Sequence, residues 1–207
     1  MSDTKERILD TALRLFARSG FEAVSVSEIA AELSITKGAL YKHYKNKRDI
    51  FNSIVKKMYC IDAQRAAEYN VPDQGYDVQP DAYGYTSAES LKEFTLAQFK
   101  FWTEDAFASD FRKMLVLEQY RSREIAELYD SCIVSGPVTY TADIFREMIK
   151  NGILKDSDPI QLALEYYAPM YLLINRSDYC ADKTELVQLL VNHIDTFNKT
   201  NLKNRSE

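Results

Sequence analysis

Apolar residues recur three and four positions apart along most of this chain, the spacing that lines one face of an α-helix. Ile8, Leu9, Ala12, Leu13 and Phe16 mark a first helix, with a left-handed stop at Gly20. Asp3-Thr4-Lys5-Glu6 has the form of a capping box at its start. Ser25 or Ser27 can cap a second, short helix through "EIAAEL", which Leu33-Ser34-Ile35 breaks. Thr36 can cap a third helix reaching about Tyr44, and a fourth opens near Asn46. That helix carries Phe51, Ile54, Val55 and Met58 and ends at about Tyr69.

The period then fails. Residues 70–86, "NVPDQGYDVQPDAYGYT", read as a long loop that holds Tyr76, Tyr83 and Tyr85; docking onto the body and disorder are equally open. Helices resume at Thr86-x-x-Glu89, a capping box ahead of Leu91, Phe94, Ala97 and Phe101. Further helical stretches cover about 106–119 and 122–151. The latter holds the most strand-like run, Val134 to Thr141, and is open to interruption at Gly136-Pro137. Asp158-Pro159 is an N-cap followed by proline at the first helical position. The last helix starts at Asp182-x-x-Glu185 and carries Leu186, Leu189, Leu190, Ile194 and Phe197. The expected fold is all-α: a three-helix helix-turn-helix unit at the N-terminus, followed by a C-terminal helical bundle.

Composition sharpens the picture. Only 6 Gly and 5 Pro in 207 residues leave few tight turns, which fits long helices. No run is apolar for the length of a membrane span, and no secretory leader is evident. The 3 cysteines are too far apart for a metal clip or a CxxC pair, so reduced thiols and a cytoplasmic setting are expected. The formal net charge is −5, but unevenly spread. Residues 1–58 hold 11 Lys/Arg against 7 Asp/Glu, and the remainder 15 against 24. A basic end on an acidic body points to a polyanionic partner for the first part alone.

That positive charge concentrates in "ITKGALYKHYKNKRDIF", residues 35–51. On a helix over 36–45, Leu40 and Tyr44 share one side and pack inward. Gly38, Tyr41, Lys42 and Lys45 fall on the far side, flanked by Lys37 and His43. Lysines neutralise phosphates, a phenol donates a hydrogen bond, and a glycine permits close approach to a groove. A second helix crossing a first after a short turn is the helix-turn-helix arrangement, whose recognition helix enters the major groove.

The stretch "GFEAVSVSEIAAELSITKGALYKHYKNKRDIF" resembles the N-terminal domain of the TetR family of transcriptional regulators. The shared features are the Gly-aromatic after the first helix, the hydroxyl residues before "IA", the Lys-Gly-x-Leu-Tyr-x-His-aromatic helix and the Lys-x-Lys behind it. The resemblance covers about residues 5–55. It implies phosphate contacts from Ser25, Tyr41, His43 and Lys47, and groove contacts from Ser27, Thr36, Lys37, Gly38 and Lys42. Val24, Ala39 and Tyr44 depart from commoner residues. So does Ser34, where the family often has glycine; a left-handed conformation there would cost about 1 kcal/mol. The expected division is a DNA-binding domain over 1–48 and an effector-binding and dimerisation domain over 49–207.

In the acidic body, Ile160 to Ile174 is apolar on every side and needs burial on every side. With the last helix it looks like half of a symmetric four-helix interface, which the family uses. The expected partners are a second copy, through helices at about 159–175 and 182–200, and a palindromic double-stranded DNA operator. Pro169 should kink the first of these helices. Aromatic residues, including many of the 14 tyrosines, suit a pocket with apolar walls and polar handles. The candidate walls are Phe99, Trp102, Tyr120, Tyr140, Tyr167 and Tyr171. The resemblance implies that such a pocket senses a small-molecule effector, most often to release a repressor from DNA.

An enzyme is not expected. The chain has 2 histidines, and His193 suits helix packing; no phosphate loop, nucleophile elbow or metal spacing occurs. No cofactor or metal is anticipated. The alternative is a helical protein-interaction module without specific DNA binding.

Overall fold

The computed structural model describes residues 4–203, and the expected Asp3 cap lies outside them. They form α1 (Thr4–Ser19), α2 (Val26–Glu32), α3 (Lys37–Tyr41), α4 (Lys47–Glu68), α5 (Pro80–Gly84), α6 (Ala88–Glu104), α7 (Ala106–Glu118), α8 (Arg123–Tyr129), a π-helical turn (Asp130–Val134), α9 (Ser135–Lys150), α10 (Pro159–Ser177) and α11 (Thr184–Asn201). Among the described residues the only β feature is an isolated antiparallel bridge between Leu154 and Leu202. The fold is all-α. No helix among them is long and apolar enough to cross a membrane.

The chain packs as two units. The first takes the chain up to Ile61 together with Glu104–Tyr129. In it α1 packs against α2 and α7. Ile8, Ala12, Leu13 and Phe16 from α1 meet a core that includes Ile29, Leu40, Ile50, Phe51, Ile54, Phe111, Met114 and Leu115. Phe21 links Phe16 and Phe51, its ring centre 5.2 Å from each.

The second unit takes Asp62–Thr103 and the chain from Asp130 onward. Here α10 packs between α9 and α11. Phe145 stacks on Phe197 at 5.4 Å, and Tyr166 meets both rings edge-on. The Tyr166 hydroxyl bonds with the Thr95 hydroxyl, and burial raises its pKa well above the usual phenol value. His193 turns its Nε2 to the Tyr166 carbonyl, a packing role.

Several local expectations need correction. Residues 70–86 are not one open loop. They contain α5, and Tyr76 and Tyr83 dock while Tyr85 stays 86% exposed. The Tyr83 hydroxyl donates to the Gln74 carbonyl, and burial pushes its pKa up to about 12. The run from Val134 is helical, as the expected stretch over 122–151 has it, with Gly136-Pro137 in the first turn of α9, where a missing N–H costs little. Glycine is needed at 136 because a Cβ there would sit 1.8 Å from the Ser131 carbonyl oxygen. α6 is capped one residue later than expected. Thr86 is buried, and the Ser87 hydroxyl accepts the Ser90 N–H. At α11, Asp182 caps locally, accepting from the Thr184 N–H and hydroxyl rather than at the third residue on.

Candidate nucleic-acid interface

α2 begins at Ser25, not Ser27. The Ser25 hydroxyl accepts the Glu28 N–H, and the Glu28 carboxylate accepts the Ser25 N–H at 2.7 Å. Those bonds hold the Glu28 carboxyl below its usual pKa. α2 ends in a tight turn in which Ser34 adopts φ +56°, the left-handed conformation that glycine tolerates best. Thr36 then caps α3, its hydroxyl accepting the Ala39 N–H. α3 is shorter than anticipated: its regular part ends at Tyr41, and Lys42 and His43 close it with a last turn.

Leu40 and Tyr44 point inward, 0% and 2% exposed. The Tyr44 hydroxyl reaches the Lys5 carbonyl at 3.1 Å, so a tyrosine fits here without an orphaned polar group. On the outer side Lys37, Gly38 and Lys42 are exposed, and Tyr41 is 49% exposed. Ser25, Ser27 and Thr36 are also exposed, while His43 is half-buried. Among the described residues no ion pair engages Lys37, Lys42 or Lys45. Gly38 is informative: a Cβ there would meet nothing closer than the Thr36 hydroxyl oxygen at 3.8 Å. Its φ is not positive either, so the fold itself does not ask for glycine.

Lys47 behaves differently from the expected free cation. Its ammonium donates to the carbonyls of Phe21 and Glu22 and lies over the Phe21 ring. Two of its three donors are thereby used inside the protein. The sequence carried no sign of this, because the partners are backbone oxygens in a turn more than twenty residues away. Nor did it signal Glu118, which reaches the same turn at Gly20 from α7.

The expected effector residues are less uniform. Phe99, Trp102 and Tyr167 are buried, and Tyr140 and Tyr171 are half-buried. Tyr120 is 90% exposed just past α7, because it falls in the turn before α8 and has no apolar face to join. Tyrosine hydroxyls that seemed to call for a polar ligand find backbone acceptors. Tyr140 donates to the Pro72 carbonyl and Tyr167 to the Ile133 carbonyl, which lies in the π-helical turn. Much of the tyrosine surplus thus ties irregular segments to helices.

A short capped helix, a left-handed turn and a second capped helix with a cationic outer face define a helix-turn-helix protein. Residues 8–54 match the family of bacterial regulatory proteins, tetR family. YerO of Bacillus subtilis (strain 168), an uncharacterised HTH-type transcriptional regulator, is 34% identical over 121 residues, 57% of this chain and 37% of that protein. IcaR of Staphylococcus aureus, a negative transcriptional regulator of the biofilm operon icaADBC, is 25% identical over 152 residues, 70% of this chain and 77% of that protein. The fold is also that of SmeT from Stenotrophomonas maltophilia in complex with triclosan, with a TM-score of 0.71, 18% identity and 98% of this chain against 93% of that one. Residues 8–54 are thus a tetR-family segment. The chain's matches to several curated relatives, YerO among them, span between 20% and 37% of those proteins' own lengths.

Proposed function

We propose that this protein is a dimeric transcriptional repressor that binds a palindromic DNA operator and leaves it when a small molecule binds the helical body. The observation that carries this reading is the outer face of α3. Gly38, Tyr41 and Lys42 lie exposed there, and the glycine has no internal reason to be one. A helix edge without side-chain bulk, rimmed by unpaired lysines, suits close approach to a groove between phosphates. Tyr41, His43 and Ser25 meet phosphates in this reading, while Ser27, Thr36, Lys37 and Lys42 face base edges. Lys47 chiefly fixes the turn it bonds, with one donor left for a phosphate.

DNA reading is assigned to residues 1–48, and dimerisation and sensing to 49–207. Dimerisation is supported by α10 and α11. Ile160, Leu164 and Leu172 on α10 and Leu189 on α11 are between 41% and 66% exposed, an unusual outlay of aliphatic surface for helices so apolar elsewhere. For sensing, Phe99, Trp102, Tyr140, Tyr167 and Tyr171 remain the candidate walls. Repression is supported by IcaR, a negative regulator, and SmeT, the repressor of a multidrug efflux pump, and a small apolar effector by the triclosan bound to SmeT. Action on DNA places the protein in the cytoplasm.

The test is selection of duplexes from a random-sequence library with the full chain, followed by sequencing. Recovery of an inverted repeat supports a dimeric regulator. Recovery of unrelated sequences, lost uniformly as salt rises, leaves only a basic patch and favours an interaction module.

A further inference from the structure

The turn after α1 aims α2, and through it α3, and its first residue is held by a side chain from far along the chain. Gly20 has φ +87°, and a Cβ built on it would lie 2.2 Å from Glu118 Oε1 and 3.5 Å from an Arg121 guanidinium nitrogen. Glu118, the last residue of α7, is fully buried at 0% exposure. Its Oε1 pairs with Arg121 at 3.4 Å, but Arg121 is 63% exposed and Oε2 has no hydrogen-bond partner among the described residues. The carboxylate also sits beside the C-terminal end of α1, where the helix dipole disfavours negative charge. Hydrogen bonding and electrostatics therefore give little reason for Glu118 to be there; its fit against Gly20 does.

We infer that Glu118 is a positioning residue for DNA binding: it seats the end of α7 on the Gly20 turn and so sets the direction in which α2 and α3 are presented. The inference rests on the DNA-binding reading above. The same turn is bonded by Lys47 at Phe21 and Glu22, so α4 and α7 grip adjacent residues of it. Lys47 works through hydrogen bonds and Glu118 through shape. Displacing α7 along its axis would act on the turn directly, because no flexible side chain on the glycine lies between them. No other residue fits at position 20 without expelling Glu118 or straining the backbone.

The test compares Glu118→Gln, which keeps the shape without the charge, with Glu118→Ala, which removes the seat. The DNA probe is a duplex selected by the wild-type chain, with its scrambled counterpart. Glu118→Ala should bind the selected duplex about ten-fold more weakly at unchanged affinity for the scrambled one, while Glu118→Gln binds both like wild type. Equal loss on both duplexes, or no loss on either, overturns the inference. A second arm needs no DNA. In the free protein Glu118→Ala should speed amide exchange at Gly20, Ile29 and Leu33 and leave α10 unchanged, with Glu118→Gln like wild type. Unchanged exchange overturns the inference by itself. Faster exchange with no duplex ever selected supports the seat and counts against the DNA reading alone.

Discussion

Lys47 Nζ lies 2.7 Å from the Phe21 carbonyl oxygen and 4.4 Å above the centre of the Phe21 ring. A residue that sequence reasoning assigns to phosphate thus acts first as a staple between α4 and the turn before α2. Replacing it should therefore have two effects. Lys47→Met is expected to destabilise the first unit by about 1–2 kcal/mol, the scale of a partly exposed charge-assisted hydrogen bond, and to weaken DNA binding as well. Tyr41→Phe should weaken DNA binding with no change in stability, because its ring is half-exposed and its loss touches no core contact. Chemical denaturation alongside a binding titration separates the two. Lys47→Met with unaltered stability would return the residue to a purely DNA-facing role.

Gly38 gives the converse pattern. A methyl group there has open space, so Gly38→Ala should stabilise the fold by roughly 0.5 kcal/mol through the unfolded chain and helix propensity. The same methyl group would obstruct a groove. We expect tighter folding with specific DNA affinity reduced by about ten-fold or more. Thermal melting and a competition gel shift check it; gains in both quantities would remove Gly38 from the interface.

Much of this interface was legible because its signals are local. Thr36 as the cap of α3 and Gly20 as the stop behind α1 each act within a turn of the chain and were readable, while Ser25 stood beside Ser27 as one of two candidate caps of α2. Ser34 was readable too, as a left-handed position without glycine. The misreadings fell where a distant partner decides the outcome. Tyr76 docks residues 70–86 through Glu147, where the loop's tyrosines had left docking and disorder equally open. Thr86 is drawn into the core, which hands the cap of α6 to Ser87. The approach of Glu118 on α7 to Gly20 is likewise a pairing no periodicity encodes.

The docked loop carries a pH dependence. Tyr76 donates to Glu147 Oε1 at 2.8 Å, and that bond, with the Lys150 ammonium behind it, holds the Glu147 carboxyl below the usual carboxylate range. A carboxyl depressed in the folded state stabilises fully above its unfolded value of about 4.3, and that stabilisation is lost as pH falls through the folded value. Tyr76→Phe should therefore melt below wild type by a constant margin from about pH 8 to pH 5, and the margin should shrink toward about pH 3. Melting curves across that range test the sign. A margin that widened in acid would contradict it.

Leu164 and Leu172 are 42% and 66% exposed on α10. Two added carboxylates there should leave the protomer folded and repel a second copy. Leu164→Glu with Leu172→Glu is expected to sediment as a monomer where wild type sediments as a dimer, with operator affinity falling as the second half-site is lost. A double variant that remained dimeric would move the interface elsewhere.

The central claim is that the outer face of α3 reads DNA. Its most direct measurement is the dissociation constant of the selected duplex for wild type and for Lys42→Glu, each at low and high salt beside a scrambled duplex. Charge reversal on an exposed residue with no ion pair leaves the fold alone, so binding reports the interface. The account predicts loss of discrimination between the two duplexes and a shallower salt dependence for the variant. Equal discrimination and equal salt dependence in both proteins would contradict it.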